Sequence, residues 1–158
     1  YSKGFLHNGS HFFNMLEFWL GPYQRSTVIS KGRLLQDQDS EPDIYVEFER
    51  GNITFLAAWE EAFSHYTVEL LSPSGRLRYE KGGEYISWQA TQSDASFSGY
   101  TILKDQPEII PNSMDRYQWH VTDQLANALA GQSTSLCSGK EALTTLEYMN
   151  QIINFKES

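Results

Sequence analysis

The stretch Asp43–Trp59, DIYVEFERGNITFLAAW, decides the fold class. Its first half places apolar residues at every second position, Ile44, Val46 and Phe48, and the alternation resumes after a short break. A period of two is typical of a β-strand with one buried face. Arg50-Gly51-Asn52 in the break predicts a tight hairpin turn with the glycine at positive φ. The stretch therefore predicts two antiparallel strands, Asp43–Glu49 and Ile53–Trp59.

Further strands are predicted on both sides of this hairpin. Ser72-Pro73-Ser74-Gly75 is typical of a reverse turn, and Gly82-Gly83 of another hairpin. The polar run Gln92–Ser98 and the stretch between Pro107 and Pro111 predict loops. The additional predicted strands, rich in β-branched and aromatic residues, are Thr27–Leu35, Tyr66–Leu71, Arg76–Glu80 and Tyr85–Gln89.

Helices are predicted at both ends of the sequence. Ser10–Leu20 has apolar residues at helical spacing, begins beside the capping candidates Asn8 and Ser10, and stops at Gly21-Pro22. A second helix is predicted from Met114 to Gly131. The residues expected to share its inward face are Met114, Tyr117, Val121, Leu125, Ala128 and Leu129. Ser138 and Glu141 form a capping box that starts a third helix. Its expected inward residues are Leu143, Leu146, Met149 or Gln151, and Ile153.

Strands segregated from helices indicate an α+β fold. We expect one domain over residues 1–158, with a largely antiparallel open sheet of six or more strands and helices packed on one face. The other face of the sheet carries Tyr and Trp side chains that no predicted helix covers. Such an aromatic face predicts a homo-oligomer that forms through the open sheet.

Composition excludes several classes of protein. The chain of 158 residues is 40% hydrophobic and has a net charge of -8, with basic residues scattered, so we expect no nucleic-acid partner. It contains one cysteine, Cys137, which predicts a reducing, cytoplasmic location without disulfides. No apolar run is long enough to span a membrane. The sequence has no glycine-rich nucleotide-binding motif, so no cofactor-binding residue is assigned.

The chemistry-bearing residues concentrate in His7-Asn8-Gly9-Ser10-His11-Phe12-Phe13-Asn14. An imidazole titrates near neutral pH, so His11 is a candidate general acid and base, assisted by His7. Asn8, Ser10 and Asn14 are candidate ligands for substrate hydroxyls. The spacing equally fits a hydrogen-bonded histidine at a helix start. No third ligand lies nearby in sequence, so we expect no metal site.

The run from Gly9 to Gly21, GSHFFNMLEFWLG, resembles the start of the C-terminal domain of Gfo/Idh/MocA oxidoreductases. Members of that family read Asp-x-Gly-x-His-x-x-Asp, followed by an apolar helix that ends in Leu-Gly. The predicted strands and closing helices also follow the family, so the resemblance covers nearly the whole chain. It implies a fold like the C-terminal domains of dihydrodipicolinate reductase and glyceraldehyde-3-phosphate dehydrogenase.

The resemblance implies a function as well. His11 aligns with the residue that transfers a proton beside the sugar carbon that exchanges hydride with NAD or NADP. The expected substrate is a sugar or a nucleotide sugar, plausibly one used in polysaccharide biosynthesis. His7 and Asn14 occupy the positions of the two motif aspartates. Asn14 can bond a sugar hydroxyl but cannot share a proton.

The family's Rossmann domain precedes this region in sequence. We therefore expect residues 1–158 to be the substrate-binding and oligomerisation domain of a longer oxidoreductase, inactive without its nucleotide-binding half. The alternative is a non-catalytic sugar-binding or dimerisation module derived from that family. An unrelated α+β ligand-binding domain is a third interpretation.

Overall fold

The computed structural model describes residues 4–32, 34–35, 39–58, 62–63 and 65–154. The contacts divide the chain into two compact units. Unit 1 consists of Tyr1–Phe63 and Cys137–Ser158, and unit 2 of Ser64–Leu136. The elements of unit 1 are a π-turn (Phe5–Gly9), α1 (Ser10–Leu20), β1 (Tyr23–Ser30), β2 (Leu34–Leu35), β3 (Asp39–Ser40), β4 (Asp43–Phe48), β5 (Gly51–Phe55) and α3 (Gly139–Ile153).

The helix α1 has the bounds that the sequence predicts. It buries Phe13 and Leu16, three residues apart on one face. Gly21 ends it with a φ of 84°, and the Gly21 amide donates to the Glu17 carbonyl. A β-carbon at Gly21 would also lie 2.6 Å from a carboxylate oxygen of Glu49. The exposed Glu49 side chain can move away from such a carbon, so it is the positive φ at Gly21 that requires glycine.

The strand β4 lies at the centre of a three-stranded antiparallel sheet, ordered β1-β4-β5. Its inward residues Ile44, Val46 and Phe48 are buried, as the alternation predicts. The predicted turn is wrong, because Phe48 pairs with Gly51 and the turn falls on Glu49 and Arg50. The Arg50 amide donates to the Leu20 carbonyl, so the end of α1 stabilises this turn. Trp59, the expected end of the second strand, lies outside the described residues.

The third helix, α3, completes the core of unit 1. Ser138 caps it: the Glu141 amide donates to the Ser138 hydroxyl, and the Glu141 carboxylate accepts from the Ser138 amide. The predicted capping box is confirmed. The inward face is partly wrong, because Leu143 and Leu146 are exposed, whereas the buried residues are Thr145, Met149 and Ile152.

Unit 2 is an antiparallel sheet of five strands and one helix. The sheet has the order β10-β8-β7-β6, and β9 pairs with β8. The predicted turns at Pro73-Ser74 and Gly82-Gly83 join its strands, the latter with φ of 64° and 102°. Tyr79 and Trp88 are half-buried, and burial raises the pKa of the Tyr79 hydroxyl. The elements are β6 (Val68–Ser72), β7 (Gly75–Glu80), β8 (Tyr85–Ser93), β9 (Thr101–Leu103), β10 (Glu108–Ile109) and α2 (Tyr117–Leu129).

The α+β class with antiparallel pairing is confirmed. The single sheet of six or more strands is not observed, because the described strands form sheets of three, five and two. Three local predictions are also wrong. The first strand is Tyr23–Ser30 rather than Thr27–Leu35, and the expected loop between Pro107 and Pro111 contains β10. The expected inward face of α2 is exposed. No helix in the described ranges is long and apolar enough to cross a membrane.

Candidate functional site

The π-turn forms the base of the candidate site. The amides of Asn8 and Gly9 both donate to the Gly4 carbonyl, at 3.0 and 3.4 Å, which widens the helical turn. A β-carbon at Gly9 would lie 2.7 Å from the ring of Phe5, so the turn closes only around a glycine. Single π-turns of this kind are frequent at functional sites. The two polar residues His7 and Asn8 are thus held on a rigid backbone.

The π-turn continues directly into α1, and this corrects one expectation. Gly9 occupies the capping position, and neither Asn8 nor Ser10 caps the helix with its side chain. The Ser10 hydroxyl instead donates to the His7 carbonyl at 2.7 Å. Helical hydrogen bonding begins at Gly4, so His11 lies beyond the first turn, where the field of the helix end has largely decayed.

Both candidate catalytic histidines are exposed. The side-chain oxygen of Asn8 accepts a hydrogen bond from Nδ1 of His7 at 3.1 Å. This bond selects the tautomer in which Nε2 of a neutral His7 is the basic nitrogen. His11 lies one turn further along the same helical segment. The structure therefore brings His7, Asn8 and Ser10 together around the start of α1 and keeps His11 accessible to a ligand.

Asn14 belongs to a different environment. Its side-chain amide donates to the hydroxyl of Thr145 at 3.1 Å, and that hydroxyl donates to the Glu17 carboxylate at 3.3 Å. Thr145 is 2% exposed, so this chain of hydrogen bonds joins α1 to α3 inside unit 1. The amide group of Asn14 is therefore engaged in packing, and its nitrogen is committed to a protein partner.

Sequence reasoning missed two contributors to this region. Thr145 interrupts the apolar face of α3, and a lone hydroxyl in such a face is the signal that indicates a buried polar partner. Glu41 follows β3, which packs against the π-turn, and it is a buried carboxylate. Gly32 allows this placement, because its φ is 66° and a β-carbon there would overlap the Glu41 carbonyl.

The arrangement offers proton transfer and hydroxyl recognition. Two exposed imidazoles are groups that can accept and donate protons, and the amide and hydroxyl beside them match the donor and acceptor pattern of a sugar. Among the residues that the structure describes, no three His, Cys, Asp or Glu side chains are grouped to hold a metal ion.

Comparisons with known proteins give no relative for this chain. No protein-family model matches it, and neither does any curated protein or solved structure with which it was compared.

Proposed function

We propose that this chain is the substrate-binding and oligomerisation part of an NAD(P)-dependent oxidoreductase of the Gfo/Idh/MocA type, acting on a sugar or nucleotide sugar. One observation carries the proposal. The Gly9-Ser10-His11 motif spans the junction at which the π-turn continues into α1, and both His7 and His11 are exposed to a ligand there. A rigid element that presents an accessible proton-transfer group is what such a reaction requires.

In this proposal His11 accepts the proton of the substrate hydroxyl. A bound nicotinamide would supply the redox chemistry as the hydride acceptor, and it would be held mainly by a domain outside residues 1–158. In the reverse direction His11 returns the proton to the carbonyl oxygen. His7 takes the place of the family's first aspartate and assists through a basic nitrogen. Asn8 and Ser10 hold neighbouring hydroxyls, with the oxygen of Asn14 as a further acceptor.

The proposal includes the setting of the reaction. A cytoplasmic enzyme of this type would act in the biosynthesis of polysaccharides, and it would associate with copies of itself through the open sheet of unit 2. The support for association is the half-buried aromatic pair Tyr79 and Trp88 on one face of that sheet. Aromatic residues of this kind are enriched at protein interfaces.

A second candidate function is a non-catalytic sugar-binding or dimerisation module. The observation in its favour is the hydrogen bond from Asn14 to Thr145. Asn14, at a position where the family has an aspartate, is neutral, and its side-chain amide contributes to packing between α1 and α3. A site altered in this way would keep hydroxyl recognition without proton transfer.

The test compares the natural full-length protein with His11→Ala and with the control His65→Ala, an exposed histidine of unit 2. Nicotinamide absorbance is followed with a panel of sugars and nucleotide sugars. Turnover should fall roughly 10²–10⁴-fold in His11→Ala, as expected for loss of a general acid and base, and should persist in His65→Ala.

Three results would contradict the proposal. Full turnover in His11→Ala would remove the residue from the mechanism. Sugar binding by calorimetry without any turnover in the wild type would favour the non-catalytic module. Neither binding nor turnover would reject both candidate functions.

A further inference from the structure

A chain of hydrogen bonds links α1 to α3 inside unit 1, and its direction is fixed at one end. The Thr145 hydroxyl donates to a carboxylate oxygen of Glu17 at 3.3 Å and accepts from the side-chain nitrogen of Asn14 at 3.1 Å. A hydroxyl has a single proton, and an ionised carboxylate can only accept hydrogen bonds. The proton of Thr145 is therefore committed to Glu17, and the Thr145 oxygen is left as an acceptor.

The direction of this chain sets the orientation of the Asn14 amide. The nitrogen and the oxygen of a side-chain amide exchange places when the group flips, and only the nitrogen can donate. Because the Thr145 oxygen needs a donor, the nitrogen of Asn14 points toward α3 and the oxygen points away from Thr145. Thr145 is 2% exposed, so solvent hardly competes for its oxygen. The orientation of Asn14 is therefore held by groups inside unit 1.

The side-chain oxygen of Asn14 is left for a ligand. In the part of the chain that the structure describes, the buried side-chain atoms without a partner belong to Arg76 and Arg78, and no group donates to the Asn14 oxygen, so this oxygen contacts solvent. Asn14 follows His11 by three residues on α1, and residues three apart are neighbours on a helix surface. A hydrogen-bond acceptor of fixed orientation therefore lies on the neighbour of the exposed proton-transfer candidate.

We propose that Thr145 and Glu17 are positioning residues that hold the Asn14 oxygen as an acceptor for a substrate hydroxyl, and that Glu17 excludes a carboxylate from position 14. The first part rests on the proposed function, whereas the second is a property of unit 1 alone. An aspartate at position 14 would offer only acceptors, and the single proton of Thr145 cannot satisfy both that aspartate and Glu17. Position 14 therefore carries an amide, which recognises a hydroxyl without taking its proton.

The second part is tested without a ligand, by a double-mutant cycle on the chemical denaturation of the chain. Asn14→Asp should lower the equilibrium constant for folding at least about tenfold, because one of two neighbouring carboxylates loses its donor. Glu17→Gln in the same chain should restore most of this loss. The new amide would donate to the Thr145 oxygen, which frees the hydroxyl proton for the carboxylate at position 14.

The control is the same cycle in a Thr145→Val background. Without the hydroxyl, the rescue by Glu17→Gln should shrink to roughly twofold, the effect of removing one like-charge pair on a helix. Full rescue in both backgrounds would show that charge repulsion alone is responsible, and an Asn14→Asp variant as stable as the wild type would show that Glu17 excludes nothing. Either result would overturn the inference. If Asn14→Asp alone does not fold, the double variant should still do so.

The first part is tested by the kinetics of the natural full-length protein with the same panel of sugars and nucleotide sugars. Thr145→Val should raise KM roughly two- to tenfold and leave kcat nearly unchanged, as expected when one hydrogen bond to the substrate is weakened in all bound states. Thr145→Ser should keep the wild-type KM. Equal KM values in the wild type and Thr145→Val would reject the role in substrate recognition. Absent turnover in the wild type would reject the proposed function and this first part with it, whereas the result of the cycle stands.

Discussion

Unit 1 and unit 2 are built by different physical means. Every buried apolar side chain among the described residues lies in unit 1, where Phe13 of α1 packs against aromatic rings of β1, β4 and β5. The ring of Phe13 contacts the rings of Tyr23, Phe48 and Phe55 at 5.4–6.1 Å between centroids. Close packing of this kind is the main source of stability in a small fold.

Unit 2 depends more on its hydrogen-bonded strands and on polar pairs across them. Glu69 on β6 pairs with Arg76 and Arg78 on β7, both at 3.5 Å, and Arg76 also donates to the side-chain oxygen of Gln89 at 2.6 Å. Partly exposed ion pairs contribute little to stability. The comparison indicates that unit 1 is stabilised by a buried core, whereas the described apolar side chains of unit 2 are half-buried or exposed.

The largest expected effect tests this difference directly. Phe13→Ala should cost roughly 3–5 kcal/mol, because it removes the centre of a closed core. Leu77→Ala, on the central strand of unit 2, should cost roughly 1–2 kcal/mol, because Leu77 is only half-buried. Chemical denaturation measures the unfolding free energy that each variant loses. Hydrogen–deuterium exchange with mass spectrometry shows in which unit the backbone amides exchange faster. Equal losses, or equal increases of exchange in both units, would show that one core stabilises the whole chain.

A smaller effect is expected at the polar link inside the core of unit 1. Thr145→Val keeps the shape of the side chain but leaves the Asn14 amide and the Glu17 carboxylate without their shared hydroxyl. Unfolding free energy should fall by roughly 1–3 kcal/mol, the usual cost of unsatisfied buried polar groups. Thr145→Ser, the control, retains the hydroxyl and should preserve most of the link. If Thr145→Val and Thr145→Ser lower the unfolding free energy by the same amount, the hydroxyl has no structural role.

The smallest effect concerns the start of α3. Hydrogen bonds from Ser138 hold the pKa of Glu141 below its usual value of 4.5. A carboxylate whose pKa is lower in the folded state than in the unfolded state stabilises the fold at pH values above its unfolded pKa. This stabilisation is lost as the pH falls through the pKa of the folded state. At neutral pH the wild type should therefore have a higher melting temperature than Glu141→Gln. The difference between the two melting temperatures should disappear as the pH falls below about 4.5. A gap that is constant with pH, measured by circular dichroism, would contradict this.

Local signals predict much of unit 1. Gly21-Pro22 at the end of α1, the Ser138 and Glu141 capping box, and the alternation along β4 each act within a few residues, so the sequence alone reveals them. The turn at Glu49 and Arg50 was missed because the end of α1 stabilises it from 30 positions away. The apolar face of α2 was expected to point inward and is exposed, because a helical pattern does not show what the helix packs against.

The candidate site also contains features that local sequence predicts and features that depend on distant contacts. His7, Asn8, Ser10 and His11 are close in sequence, so any helical start brings them together. The π-turn was not predicted, because it depends on the contact between Gly9 and the ring of Phe5. The bond between Asn14 and Thr145 joins residues 131 positions apart, and no local pattern indicates it.

The order of the two units along the chain has a consequence for synthesis. Unit 2 is one continuous segment, Ser64–Leu136, whereas the core of unit 1 needs Met149 and Ile152 from α3. A ribosome therefore releases all of unit 2 before unit 1 has its last helix. Until α3 has been synthesised, the apolar faces of α1 and the strands of unit 1 remain exposed to solvent. Exposed apolar surface of this kind favours aggregation and binding by chaperones. The core of unit 1 is complete only when the α3 helix has followed unit 2 out of the ribosome.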